Sequence, residues 1–258
     1  MTPFVAKVLS NEAAGTAFRK LVVAAPQAFE TGVCPGQFAH IKVPNADELL
    51  LRRPISIMDA DSKAGTLTFC VLPKGKGTEI ISSLTPGSEV EMVAPLGHGF
   101  DDKGAKNIWL IGGGVGVAPM VYTAKSFSRT AEVTAVMGFR NAGTIFAKDE
   151  FESCCKSLVI CTDDGSCGIN GTVVDGAKSI ISKPDLICAC GPTPMLRAVQ
   201  AFTLENDIPC QLSLEQRMGC GYGACLTCSC KTRGEDGHID HSRVCADGPV
   251  FDAREVLL

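Results

Sequence analysis

Apolar positions follow two rhythms along the chain. Over roughly the first 100 residues they fall in short β-rich runs: Lys20-Leu21-Val22-Val23, Phe38-Ala39-His40-Ile41-Lys42-Val43, Ile55-Ser56-Ile57-Met58, Leu67-Thr68-Phe69-Cys70-Val71-Leu72 and Val90-Glu91-Met92-Val93. Turn signals such as Pro35-Gly36 and Pro86-Gly87 separate them. Strands at this spacing predict a small closed antiparallel barrel with one short helix, Glu79 to Leu84. From about residue 107 strands and helices alternate. Strands are expected at 108–111, 133–138, 157–161, 186–190 and 210–214, with helices beginning near Met120 and spanning about 148–155, 172–181 and 194–205. That order predicts a doubly wound parallel sheet. Beyond it lies a short segment rich in cysteine and glycine. The expected division is residues 1–102 as barrel, 103–212 as α/β nucleotide-binding unit and 213–258 as a small C-terminal unit.

Composition narrows the class. With 258 residues, 45% hydrophobic, 20% charged and a formal net charge of -4, the chain reads as globular, with no basic block to attract nucleic acid. No apolar run reaches the roughly 18 residues of a membrane span. The start, Met1-Thr2-Pro3-Phe4-Val5-Ala6-Lys7, lacks the basic and apolar regions of an export signal. A cytoplasmic protein with reduced thiols is expected, although the chain holds 14 cysteines.

Four of those cysteines form a pattern. Cys220, Cys225 and Cys228 are spaced C-x4-C-x2-C, and Cys245 follows after a polar, turn-rich interval. Three close thiolates and a distant fourth match the ligand spacing of a plant-type [2Fe-2S] cluster. Gly219, Gly221 and Gly223 let the loop turn and aim backbone N–H groups at sulfur. A zinc site, unligated thiols and a disulfide framework are the alternatives. Zinc favours paired C-x2-C knuckles, of which only Cys225-Cys228 is present. Cys230, two residues past a ligand, is surplus to the four. Cys34, Cys70, Cys154, Cys155, Cys161, Cys167, Cys188, Cys190 and Cys210 sit mostly in or beside apolar segments and read as small hydrophobes. His98, His238 and His241 read as polar loop residues; a Rieske-type site would need two Cys-x-His pairs that the chain lacks.

Other motifs point to nucleotides. Ile108-Trp109-Leu110-Ile111 runs into Gly112-Gly113-Gly114-Val115-Gly116-Val117-Ala118-Pro119, which puts Pro119 where a dinucleotide fingerprint has its last glycine. Proline is tolerated in a first helical turn. Cys161-Thr162-Asp163-Asp164-Gly165 and Cys190-Gly191-Pro192 are further strand ends suited to a nucleotide crevice. In the barrel, Arg52-Arg53-Pro54-Ile55-Ser56 offers a guanidinium for a pyrophosphate, and Gly75-Lys76-Gly77-Thr78 opens a helix; each also fits a solvated pair or a plain glycine turn.

Barrel, Gly-Gly-Gly-Val-Gly-Val-Ala-Pro and Cys-Gly-Pro-x-x-Met, in that order, resemble the ferredoxin-NADP reductase superfamily. Ser213-Leu214-Glu215-Gln216-Arg217-Met218-Gly219-Cys220 further resembles the electron-transfer subunits of class 1B dihydroorotate dehydrogenases. The resemblance implies FAD held by Arg53, Pro54, Ile55, Ser56, Cys70, Val71, Leu72, Gly77 and Thr78. It implies NAD(H) across Gly112, Gly113, Gly114, Gly116 and Pro119, with Cys190, Gly191 and Pro192 near the nicotinamide. Cys220, Cys225, Cys228 and Cys245 would hold the [2Fe-2S] cluster, and no active-site base would lie on this chain. The implied partner is an FMN-containing dihydroorotate dehydrogenase catalytic subunit in a heterotetramer, serving pyrimidine biosynthesis. FAD would stand between the two-electron NAD couple and the one-electron cluster. Ile55 takes a position that is aromatic in much of the superfamily, and Arg140 ends the second parallel strand where an acidic residue would favour NAD over NADP. Related reductase subunits serving ferredoxin, sulfide or a hydrogenase are the alternative, and a non-redox zinc protein is a third reading.

Replacing Cys225 with Ser is expected to abolish the iron-sulfur absorption and EPR signals while NADH still bleaches the flavin. Full cluster occupancy in that variant would overturn the ligand assignment.

Overall fold

The computed structural model describes residues 2–234 and 236–258. Its first unit is a barrel of six strands: β1 (Phe4–Ala14), β2 (Phe18–Ala24), β3 (Phe38–Ile41), β4 (Arg53–Asp61), β5 (Thr66–Val71) and, after helix α1 (Lys76–Ser82), β6 (Glu89–Leu96). They close in the order β1-β2-β5-β4-β3-β6, every pairing antiparallel. Alternate residues point inward, so Leu21 and Val23, Leu67 and Phe69, and Val90 and Met92 fill the interior with Ile57. The first strand has no counterpart among the expected runs. Its inward positions are the small Ala6 and Val8, and Val5 and Leu9 face outward, which blurs the alternation.

The second unit follows the expected alternation: β7 (Asn107–Gly113), α2 (Val117–Phe127), β8 (Glu132–Phe139), α3 (Lys148–Cys154), β9 (Ser157–Thr162), the two-residue β10 (Ile169–Asn170), α4 (Val173–Lys178), β11 (Leu186–Cys190), α5 (Thr193–Glu205) and β12 (Cys210–Ser213). The strands run parallel in the order β10-β9-β8-β7-β11-β12. Along β7, Ile108 and Leu110 pack with α2 on one face, whereas Trp109 and Ile111 pack with α4 and α5 on the other. Burial on both faces explains why that strand is apolar without alternation. Helix α4 stops short of the expected 181, where the Ser179 hydroxyl donates back to the Gly176 carbonyl (2.7 Å).

The last segment holds strands that the sequence pattern did not predict: β13 (Ser229–Arg233), β14 (Ile239–Arg243), β15 (Val250–Asp252) and β16 (Val256–Leu257). The interval before Cys245 is therefore largely a hairpin, and His241 lies on its second strand rather than in a loop. β13, β14 and β16 form a small sheet, while β15 joins the large sheet antiparallel to β12, so that sheet is parallel except at this edge. Leu214, Met218, Cys228, Val244 and Cys245 share one core with α5 and with Phe38 and Leu96 of the barrel. Among the described residues no helix is long and apolar enough to cross a membrane.

Phe69 is wholly buried at the centre of the barrel. Phe69→Ala is expected to cost about 3–5 kcal/mol of stability, read from the denaturant midpoint. A loss below about 1 kcal/mol would place the side chain outside a packed core.

Candidate functional site

A cleft of about 760 Å³ opens between the barrel, the turn after β7 and the strand that leaves the large sheet toward the cysteines. Arg53, Pro54, Ile55, Ser56, Cys70, Leu72 and Thr78 line its barrel side, Val115 and Ala118 the sheet side, and Ser213 to Met218 the third. Its volume suits a large cofactor, and its walls mix apolar side chains with charged ones, Arg52, Arg53, Lys74, Glu215 and Arg217. Two expected flavin contacts stand back from the cleft: the Val71 side chain fills the barrel core, and Gly77 lies under Arg53. A β-carbon on Gly77 would come within 2.6 Å of Arg53 Nε, so glycine is what lets the guanidinium lie on the start of α1. The neighbouring Arg52 is engaged by Glu91, which distinguishes the two arginines. Cys70 is pushed up to about 12 by burial, so it presents a neutral thiol to the cleft.

β7 and β11 are sheet neighbours, but the chain visits β8 and β9 between them, so their carboxyl ends form the topological switch point. Gly114 takes a positive φ of 55°, and a 3-10 turn through Gly116 leads into α2, with Pro119 in its first turn. This turn packs on the Cys190-Gly191-Pro192 turn at backbone distance. A β-carbon on Gly116 would stand 2.4 Å from the Cys190 carbonyl oxygen, and one on Gly113 2.3 Å from Met195 Sδ. The sequence motifs at 112–119 and 190–192 thus meet, while the Cys161 to Gly165 strand end lies farther along the sheet, beyond β8. Burial pushes the Cys190 thiol up to about 12, with the Glu215 carboxylate adding to it. Glu215 opens onto the cleft, yet the protein around its carboxyl raises it above the usual carboxylate range, opposed by Lys74.

The four candidate ligand cysteines converge as two pairs, Cys220 with Cys225 and Cys228 with Cys245. Backbone N–H groups point at their sulfurs: Gly223 to Cys245 (3.1 Å), Ala224 to Cys220 (3.3 Å), Cys220 to Cys225 (3.4 Å) and Cys245 to Cys228 (3.4 Å). Gly221 and Gly223 adopt φ of 83° and 91°, the conformation that turns those donors inward. The Thr227 hydroxyl, together with the Thr227 and Cys220 N–H groups, lowers Cys225 to about 6, so it is a ready thiolate. Cys245 is instead pushed up to about 12 by burial and by Cys228. Among the described residues no three His, Cys, Asp or Glu side chains crowd around one point; two thiol pairs suit a two-iron centre, which needs two ligands per iron. Arg243 braces the loop, donating to the Gly223 carbonyl (3.2 Å) while paired with Asp247 (2.7 Å). Cys230 is buried with its thiol raised to about 11, chiefly by burial.

Three features were absent from the sequence reading. The run Ser213 to Met218 lines the cleft, where the chain leaves the end of β12 on its way to the first cysteine. Arg243 gave no signal. His40, the one polar side chain in Phe38-Ala39-His40-Ile41, is 1% exposed against the cysteine loop, with its basicity lowered by burial and by Arg52.

Fold and site together define an NAD-linked flavin and iron-sulfur oxidoreductase subunit with a ferredoxin-NADP reductase-like fold. Residues 6–100 match the oxidoreductase FAD-binding domain, 110–201 the oxidoreductase NAD-binding domain and 215–257 the iron-sulfur cluster binding domain of dihydroorotate dehydrogenase B. The chain is 42% identical over 228 residues, 87% of each chain, to the dihydroorotate dehydrogenase B (NAD(+)) electron transfer subunit of Bacillus caldolyticus, and 38% identical over 223 residues, 86% of this chain and 87% of the relative, to that of Caldanaerobacter subterraneus subsp. tengcongensis. The solved NADH-dependent reduced ferredoxin-NADP oxidoreductase superposes with a TM-score of 0.86 at 27% identity, over 97% of this chain and 89% of that one. The chain belongs to the family of dihydroorotate dehydrogenase B (NAD(+)) electron transfer subunits.

Arg53→Ala is expected to weaken FAD retention by about 1.5–3 kcal/mol, the range of a hydrogen bond to a charged group, measured by flavin titration of the stripped protein. Unchanged affinity would return Arg53 to a purely structural role.

Proposed function

We propose that this chain carries electrons between NAD(H) and an FMN-containing partner subunit that oxidises dihydroorotate, within a heterotetramer in the cytoplasm serving pyrimidine biosynthesis. The observation that carries the reading is the asymmetry of the cysteine loop. Cys225 is exposed and Cys220 half-buried, while Cys228 and Cys245 are buried. Tyr222 and Leu226, 66% and 62% exposed, flank the open pair and give that edge the apolar character of a docking face. A partner seated there would meet the iron-sulfur centre at its outer edge.

The chain's residues act by placement. Arg53, Pro54, Ile55, Ser56, Cys70, Leu72 and Thr78 would hold FAD, with Val71 and Gly77 supporting from behind. Gly112, Gly113, Gly114, Gly116 and Pro119 would receive the NAD diphosphate, and Cys190, Gly191 and Pro192 would border the nicotinamide. Cys220, Cys225, Cys228 and Cys245 would ligate the [2Fe-2S] centre, with backbone N–H donors tuning its sulfurs. FAD supplies the exchange between a two-electron hydride and single electrons, and the iron-sulfur centre supplies the one-electron relay. No residue is assigned as an acid or base toward dihydroorotate, because that oxidation belongs to the partner. The units correspond to residues 1–102, 103–212 and 213–258, and 14 free thiols suit a reducing compartment. A second reading, a related reductase subunit serving another redox partner, draws support from the likeness to the ferredoxin-NADP oxidoreductase.

Anaerobic NADH is expected to bleach the flavin and iron-sulfur bands of the purified chain and raise a rhombic EPR signal of about one spin per cluster. Adding an FMN dihydroorotate dehydrogenase from the same genome should then give dihydroorotate-dependent reduction of NAD+. A normal NADH response without that coupling would favour the second reading, and a colourless zinc protein would sink both.

A further inference from the structure

Arg243 reaches the cysteine loop from the turn that also carries Cys245. It ends β14 opposite Ser229 of β13, and its carbonyl accepts the N–H groups of Ala246 (3.1 Å), Asp247 (2.8 Å) and Gly248 (3.3 Å), so backbone pairing fixes where the side chain starts. Asp247 holds one edge of the guanidinium: Nε donates to Oδ2 (2.8 Å) and Nη2 to Oδ1 (2.7 Å), the two-pronged geometry of an arginine–carboxylate pair. Nη1 donates to the Gly223 carbonyl (3.2 Å). The five N–H groups of a guanidinium cover these three bonds. Gly223 permits the approach, since a β-carbon there would meet Nη1 at 3.2 Å and the Ala246 β-carbon at 2.8 Å.

The Gly223 carbonyl shares its peptide unit with the Ala224 N–H. That unit is trans and planar, so its two polar ends point in opposite directions. The carbonyl goes to Arg243, and the N–H goes to Cys220 Sγ (3.3 Å). The Gly223 N–H, from the preceding unit, goes to Cys245 Sγ (3.1 Å). Two successive N–H groups thus serve one sulfur of the open pair and one of the buried pair, and the guanidinium holds the backbone that carries them. A cation on the carbonyl also polarises the peptide and strengthens its N–H as a donor.

We propose that Arg243, braced by Asp247, is a positioning residue that aims the Gly223–Ala224 peptide at Cys220 and thereby raises the reduction potential of the iron-sulfur centre. It acts on the sulfur through that peptide. N–H donors to ligand sulfur favour the more negative, reduced state of a cluster. The Arg243 and Asp247 side chains are 39% and 36% exposed, so water and salt screen their charges and the aim of the peptide is the larger effect.

The inference rests on the relay reading, and the wild-type protein separates the two: absence of an NADH-dependent cluster signal there would remove both. Given that signal, Arg243→Leu and Asp247→Asn are compared with the wild type in the full chain loaded with FAD and cluster. In Arg243→Leu the EPR g-values should shift while NADH still bleaches the flavin at the wild-type rate. At a fixed applied potential the ratio of reduced to oxidised cluster should fall about 2- to 10-fold, the range of one hydrogen bond. Asp247→Asn separates aim from charge. It loosens the brace yet removes a negative charge, so loss of aim lowers that ratio, whereas charge alone would raise it. A fall in Asp247→Asn supports the proposal even where Arg243→Leu fails to retain its cluster. A rise or no change in Asp247→Asn would overturn it, as would unchanged g-values and ratio in Arg243→Leu. Cluster loss from both variants, or an equal slowing of the NADH step, would also overturn it by marking a general packing defect.

Discussion

The arrangement depends on one antiparallel pairing, β12 with β15. The chain leaves the large sheet at Ser213, passes through the cleft, wraps the four cysteines and returns to pair Val250 with Ser213. The Leu214 N–H donates to the Pro249 carbonyl (2.9 Å), and the His98 N–H to the Gly248 carbonyl (2.6 Å), so the end of the barrel is stitched to the same crossing. A long excursion closed at its base keeps the cysteines beside the cleft. Electron passage between two centres requires that fixed proximity, and packing of three units into a shared core supplies it.

Close backbone approach is the second constraint. At Gly97 a β-carbon would lie 2.5 Å from Pro249, at Gly116 2.4 Å from the Cys190 carbonyl, and at Gly221 2.5 Å from His40. These positions are where the barrel meets the chain returning to β15, where the turns after β7 and β11 meet, and where the cysteine loop meets the barrel. Glycine is required because main chain or ring, rather than a flexible side-chain end, occupies the space.

The thiols divide by environment. Cys225 is ionised with ease at an open edge rich in donors, whereas Cys245 ionises only at high pH as a free thiol, because it is buried beside a second sulfur. Metal charge offsets that penalty on binding. The same asymmetry gives the site an inner side facing protein and an outer side open to solvent.

Local order determined most of the fold. Period-two runs in the barrel, strand–helix alternation after residue 107 and the C-x4-C-x2-C spacing are each short-range, so five barrel strands, the large parallel strands and the cysteine set were legible. β1, β13 and β14 were not, because outward-facing Val5 and Leu9 blur the alternation of β1 and the side chains of β13 and β14 are mostly polar. The return of β15, the split of the cysteines into an open and a buried pair, the separate fates of Arg52 and Arg53 and the burial of His40 were decided only by the tertiary structure. Each depends on which surface of another unit is laid against the residue, and no local pattern carries that.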